Sequence, residues 1–177
     1  MRFIADFHIH SHYSRATSKE MNIVSLYKWG QIKGIQVIGT GDFTHPAWLN
    51  EMREKLQEAE PGLFTLKKEY ADEIEPEVPA SCRALFRFML TVEISCIYSK
   101  GGKVRKVHCI VGAPSFAVAA KINNTLSKIG NLQADGRPIL GLDSKELLKI
   151  VMDASPDCIF IPAHAWTPHF GVLGSSS

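Results

Sequence analysis

The chain of 177 residues has only four cysteines, Cys82, Cys96, Cys109 and Cys158, and no Cys-x-x-Cys spacing. That excludes a disulfide framework and a thiolate metal ribbon, and reads instead as buried thiols in a reducing compartment. No apolar run approaches the roughly 20 residues that span a bilayer. The N-terminus offers one arginine and a short apolar stretch interrupted by Asp6, which is not a signal peptide. No sign of charge dominates: 20 basic against 18 acidic residues leave +2, so only a local basic patch could address a polyanion. Repeats and low-complexity segments are absent. The expectation is one globular core in a cytoplasmic, non-membrane protein.

What is present begins with "FIADFHIHSHYS", residues 3–14. An apolar run here carries polar residues at every second position. In a strand, Asp6, His8 and His10 share one face while Phe3, Ala5, Phe7 and Ile9 take the other. Same-face neighbours lie roughly 7 Å apart, so two imidazoles can reach one cation. A half-exposed edge strand is the plain alternative, and further ligands downstream decide between the two.

The order of elements supports a β/α architecture. "NIVSLYKWGQIKG" has helical spacing at Ile23, Leu26, Tyr27 and Gly30, with Asn22 as N-cap and Gly34 as stop. "IQVIGTGDF" reads as a short buried strand, and "PAWLNEMREKLQEAE" as a helix opened by proline. Strand, helix, strand, helix signals parallel units. Residues 69–79 are acidic and proline-broken, and read as a solvated loop. "ALFRFMLTVEISCIYS" and "KVRKVHCIVGAP" flank Gly101-Gly102 as a hairpin. "SFAVAAKINNTLSKI" reads as a helix, as does "DSKELLKIVMDA", with Asp143 and Glu146 forming a capping box and Leu147, Leu148, Val151 and Met152 on one face. "CIFIPAHAW" reads as a buried strand.

Chemistry-bearing residues follow the apolar runs: Asp42 and His45 in "GTGDFTHP", Glu93 in "FMLTVE", His108 in "KVHCIV" and His164 in "IPAHAW". Singly, a helix cap, a lysine partner or a core histidine would explain each. Five clusters at five strand ends point to a multinuclear centre of imidazoles and carboxylates. With Gly101-Gly102 at the turn, Glu93 pairs with Ile110 and His108 with Ser95. That makes Glu93 and His108 diagonal neighbours on one face and sends Cys96 and Cys109 to the other. The basic run "KGGKVRK" includes Lys103, Arg105 and Lys106, either a grip on DNA or a solvated hairpin tip.

These motifs resemble the PHP (polymerase and histidinol phosphatase) superfamily of metal-dependent phosphoesterases. The wording "FIADFHIHSHYSRATSKEMNI", "IGTGDFTHPAWLNEMREKL", "LTVEISCIYSKGGKVRKVH" and "IPAHAWTPHFGVLGSSS" is similar to the endonuclease Q family of DNA repair enzymes. The sequence departs from the superfamily where Phe43 stands in place of a histidine. It also lacks the closing Asp-x-His pair.

The resemblance implies an irregular β/α barrel of PHP type with a hairpin insertion. The barrel is expected to be incomplete here, with residues 1–177 forming the N-terminal part of a catalytic domain. Any C-terminal zinc module would lie outside the chain. It implies a DNA endonuclease that nicks 5′ of deaminated or abasic nucleotides. His8 and His10 would hold one Zn²⁺, and Glu93 would bridge to another on His108 and His164, with Mn²⁺ or Mg²⁺ as alternative ions. His45 and Asp42 would serve a third ion or orient other groups, Asp42 entering the chemistry directly. Asp6 would support the ligands, Arg15 would clamp phosphate, and Trp48 and Trp166 would stack on an extruded base. Damaged DNA is the implied partner, with repair or replication proteins beside it. Two alternatives stand: a small-molecule phosphomonoesterase on the same metals, or a non-catalytic metal-stabilised module of a DNA-processing protein.

Overall fold

The computed structural model describes residues 2–15 and 17–175. In chain order the elements are β1 (Ala5–Asp6), α1 (Ile23–Ile32), β2 (Val37–Gly39), α2 (Pro46–Lys55), β3 (Leu56–Glu60), β4 (Leu63–Leu66) and α3 (Lys68–Ile74). They continue with β5 (Arg87–Lys100), β6 (Lys103–Ala113), α4 (Phe116–Leu126), β7 (Ile139–Leu140), α5 (Ser144–Ala154) and β8 (Ile159–Pro162). The result is a mixed α/β chain whose sheet curls as a half-barrel.

Strand β5 is the spine. Its first residues run parallel to β2 (Ile38 opposite Phe88) and antiparallel to β4 (Phe64 opposite Phe88). Its remainder pairs with β6 and, at Ser95 and Cys96, with β7. The β5–β6 register places Glu93 opposite Ile110 and Ser95 opposite His108, as the turn predicts. Both turn glycines have positive φ, 60° and 73°, the geometry a two-residue hairpin requires. Cys96 and Cys109 lie buried on the far face, where hydrogen bonding to Cys109 and then burial push the Cys96 thiol up.

The helices begin where their caps say. The Asn22 and Ser115 side chains accept from the amides of Ser25 and Val118, and Pro46 opens α2. Trp48 on α2 is wholly buried, and its Nε1 donates to the Gly41 carbonyl at 2.8 Å. Fully burying such a ring contributes several kcal/mol, about 3–5 by the usual cost of truncating it.

Five expectations are corrected. The helix opened by Pro46 stops at Lys55. "LQEAE" becomes strand β3, because it pairs with β4 across the Pro61-Gly62 turn. The acidic stretch at 69–79 is not a loop but contains α3, where Lys68 pairs with Asp72 at 2.5 Å and Tyr70, Ala71 and Ile74 pack on the core. The first strand is only two residues long, so face alternation does not continue through His10. Phe3 and Ile4 are exposed rather than buried. Strand β8 pairs with β6 alone, so Ile159 and Ile161 lie 37% exposed where burial was expected. On α5, Leu147 and Val151 are buried but Leu148 is exposed.

Candidate metal centre

Glu93 sits mid-strand in β5 with 2% of its surface exposed. Its carboxylate is ringed by imidazoles from four places in the chain. Oε1 lies 3.0 Å from His8 Nε2, 3.0 Å from His108 Nδ1 and 3.2 Å from His164 Nε2. Oε2 lies 3.3 Å from His10 Nε2 and 3.2 Å from Arg137 Nη1. Burial alone would raise the Glu93 pKa. Hydrogen bonds from His10, His108 and His8 outweigh it and hold the group well below the carboxylate range.

His10 shows the converse balance. Burial lowers its pKa, yet the bonds to Asp42 and Glu93 push it up to about 9. Asp42 is fully buried behind it, Oδ1 lying 3.1 Å from His10 Nδ1. The other oxygen accepts from the Ser11 amide (2.6 Å), Ser11 Oγ (2.7 Å) and Ser14 Oγ (2.9 Å). The left-handed backbone at Asp42, φ 52°, turns the carboxylate inward, and aspartate is among the residues that tolerate this. On the opposite side, His164 Nδ1 lies 3.0 Å from Thr167 Oγ1. The main chain of His108 is fastened twice: its N–H donates to the Phe170 carbonyl and its carbonyl accepts from Ala163, both at 2.9 Å.

Two groups of donor atoms result, each within 4.8 Å of one another: His8, His10 and Glu93, and Glu93, His108 and His164. Imidazole and carboxylate donors in that density, each histidine steadied through its other nitrogen or its backbone, fit a divalent transition metal. The shared carboxylate fits a pair of ions. The cluster opens into a cleft of about 370 Å³ that Arg137, His169 and Phe170 also line.

The other residues singled out from the sequence lie elsewhere. His45 does not join the cluster. It occupies the N-cap position of α2, because the chain turns into that helix at once, and its ring stacks on Tyr13 at 4.2 Å. Burial lowers its pKa, and its Nδ1 is buried without a partner among the described residues. Asp42 does not face the cleft, so its place is behind His10 rather than in the chemistry. The Asp6 carboxylate accepts from the His8 backbone N–H at 3.1 Å and so supports its main chain. Arg15 is 84% exposed and lies 3.4 Å from Asp135; the guanidinium at Glu93 is that of Arg137. Trp48 is in the core and offers no face to a base, whereas Trp166, two residues after His164, is 84% exposed. Lys103 and Lys106 stand exposed near the hairpin tip, with Arg105 half-buried. Sequence reading missed Arg137 and the serines behind Asp42. Arg137 follows a Gly in a turn-rich stretch with no periodicity, while "HSHYS" did carry a signal in its serines.

No protein-family model matches the chain. An uncharacterized protein of Methanocaldococcus jannaschii is 31% identical over 164 residues, which cover 92% of this chain and 16% of that protein. The lesion-specific endonuclease EndoQ of Pyrococcus furiosus superposes with a TM-score of 0.75 and 25% identity, over 96% of this chain and 36% of that one. This chain is similar to endonuclease Q. A second endonuclease Q structure, in complex with a 27-mer duplex bearing an abasic lesion at the active site, gives a TM-score of 0.75 and 26% identity, over 96% of this chain and 37% of that one. The chain thus spans about a third of the solved endonuclease Q structures and a smaller part of the curated relative. Among the described residues, no helix is long and apolar enough to cross a membrane.

Proposed function

We propose that these residues form the N-terminal, metal-binding part of a PHP-type catalytic domain. Its activity would be that of a DNA repair endonuclease, nicking 5′ of deaminated or abasic nucleotides. The observation that carries this reading is Glu93, one buried carboxylate shared between two imidazole sets, on a backbone that superposes on endonuclease Q over 96% of its length. His8, His10 and Glu93 would hold one ion, Zn²⁺ by donor type, and Glu93, His108 and His164 another. Bound there, the ions would supply an activated water and offset charge on the phosphoryl oxygens.

The remaining residues prepare the site for a phosphodiester. Arg137, its side chain 42% exposed, can turn one guanidinium edge from Glu93 to a phosphate oxygen. Asp42 fixes the His10 ring and leaves Nε2 pointing at Glu93. Trp166 presents a flat apolar face beside His164, suited to an unstacked base. The Gly101-Gly102 turn is eight residues beyond Glu93, some 25 Å along an extended strand, with Lys103 opposite Lys100 and Lys106 opposite Ile97, so this end of the hairpin would grip flanking duplex.

The test is cleavage of duplexes carrying deoxyinosine, deoxyuridine or an abasic site, against an undamaged control. The longer polypeptide that this proposal expects and residues 1–177 alone are both assayed. The longer form should nick only damaged strands, more slowly as salt rises, and should fail after chelation or in Glu93→Gln. The isolated 177 residues should bind metal without nicking. Equal cutting of undamaged DNA would mark a general nuclease. Hydrolysis of monoesters alone would mark a phosphatase, and metal without turnover a structural module.

A further inference from the structure

Helices α2 and α4 lie side by side with a groove between them, closed at one end by residues 130–133. The Asn123 amide reaches the Phe43 carbonyl just before α2, while Arg53, near the end of α2, sits over the Phe116 ring that opens α4. The two helices therefore run antiparallel. From Pro46 to Arg53 the wall extends about 10 Å. The groove, open to solvent, measures about 470 Å³ and shares no residue with the cleft at Glu93.

The chemistry of this wall is narrow. Asn50, Asn123, Asn124, Asn131 and Gln133 line it; Asn123 Nδ2 is taken by the Phe43 carbonyl and Asn131 Oδ1 by the Gln133 backbone amide, which leaves the whole carboxamides of Asn50, Asn124 and Gln133, and among the described lining residues the only charge is the Arg53 guanidinium. No carboxylate lines it, so it is no cation site. Two of its residues carry buried polar atoms without a protein partner among the described residues: Thr44 Oγ1, on a side chain 1% exposed, and Asn123 Oδ1. Both atoms are sealed in the wall, so the hydrogen-bonding groups that face the groove are those of its remaining polar side chains and Arg53.

We infer that this groove is a second binding site, for a nucleotide unit. Carboxamides offer a donor and an acceptor side by side, the pattern that pairs bidentately with a nucleobase edge. Arg53, at the far end of the groove, offers two parallel donors to a phosphate. The length of the groove matches a base-to-phosphate span, and its volume is that of a small-molecule site. The inference stands on the α2–α4 wall alone and does not depend on the nuclease reading. The unit could be a free mononucleotide or one residue of a strand, and both present the same base and phosphate.

The test uses the full chain in EDTA, so that the Glu93 centre is stripped and cannot take the phosphate. Calorimetric titration with the four common 5′-mononucleotides is compared with adenosine, inorganic phosphate and a short single-stranded oligonucleotide. Mononucleotides should bind better than either fragment; binding by the oligonucleotide alone would assign the site to a strand. Arg53→Gln should weaken binding about tenfold or more, the loss expected for a charged hydrogen-bond pair, without changing the weaker binding of adenosine. If neither mononucleotides nor the oligonucleotide bind at millimolar concentration, the proposal fails. It also fails if binding survives Arg53→Gln combined with Asn50→Leu.

Discussion

At Asp42 a single carboxylate accepts three hydrogen bonds from Ser11 and Ser14 and faces His10 with its other oxygen. Replacing it by asparagine keeps the volume and removes the charge. The imidazole then loses the group that sets its tautomer, and zinc affinity should fall about tenfold to a hundredfold, as read by competition with a chromogenic chelator. An unchanged affinity would show that Asp42 serves folding alone. The sign of the pH effect follows from the same contact. In metal-stripped protein the His10 pKa is raised to about 9, so its contribution to stability is complete below its ordinary value near 6.5 and is lost as pH rises through 9. Asp42→Asn should move that loss to lower pH in melting curves.

Among the elements, α1 offers a sharp case. Gly30 lies under Phe86, whose ring atom would stand 2.2 Å from an added Cβ. Helix propensity favours Gly30→Ala by about 1 kcal/mol, yet the buried Phe86 ring would have to be displaced. The variant should be less stable by more than that gain, seen as a lowered denaturation midpoint. The elements that sequence revealed were those with local punctuation: the Asn22, Pro46 and Ser115 helix starts, and the glycine pair that sets the β5–β6 register. Those it hid are decided at a distance. "LQEAE" has the composition of a helix and becomes β3 only because β4 lies beside it, and β7 exists only through two residues of β5. The site divides in the same way. His8, His10, Glu93, His108 and His164 are legible because each is a polar residue set within or at the end of an apolar run, Glu93 and His108 standing mid-strand in β5 and β6. Arg137 arrives from a turn with no pattern, and His45 is drawn off by the helix it begins.

For the whole molecule, the curled sheet leaves edges that nothing among the described residues pairs. Strand β1 pairs only with β2 and β8 only with β6, and Phe3, Ile4, Ile159 and Ile161 are exposed along them. Phe3, Phe7, Met89 and Ile159 also line one apolar cavity of about 580 Å³ between the two edges. Such edges template pairing with another chain. Residues 1–177 should therefore self-associate as concentration rises, in sedimentation velocity, and Ile161→Lys should suppress this while leaving the fold intact by circular dichroism. A monomer at all concentrations would show that the edges are covered.

The hairpin that carries Glu93 and His108 has a further consequence, in time rather than in space. These two residues lie 15 positions apart on strands joined by the tightest possible turn, and hairpins of this kind close in microseconds. A ribosome adds residues at about 5–20 per second. The half of the centre formed by Glu93 and His108 is thus assembled seconds before His164 leaves the ribosome, with His8 and His10 already synthesised. His164 then meets a pocket already shaped by the others, so the order of these residues along the chain is also an order of assembly.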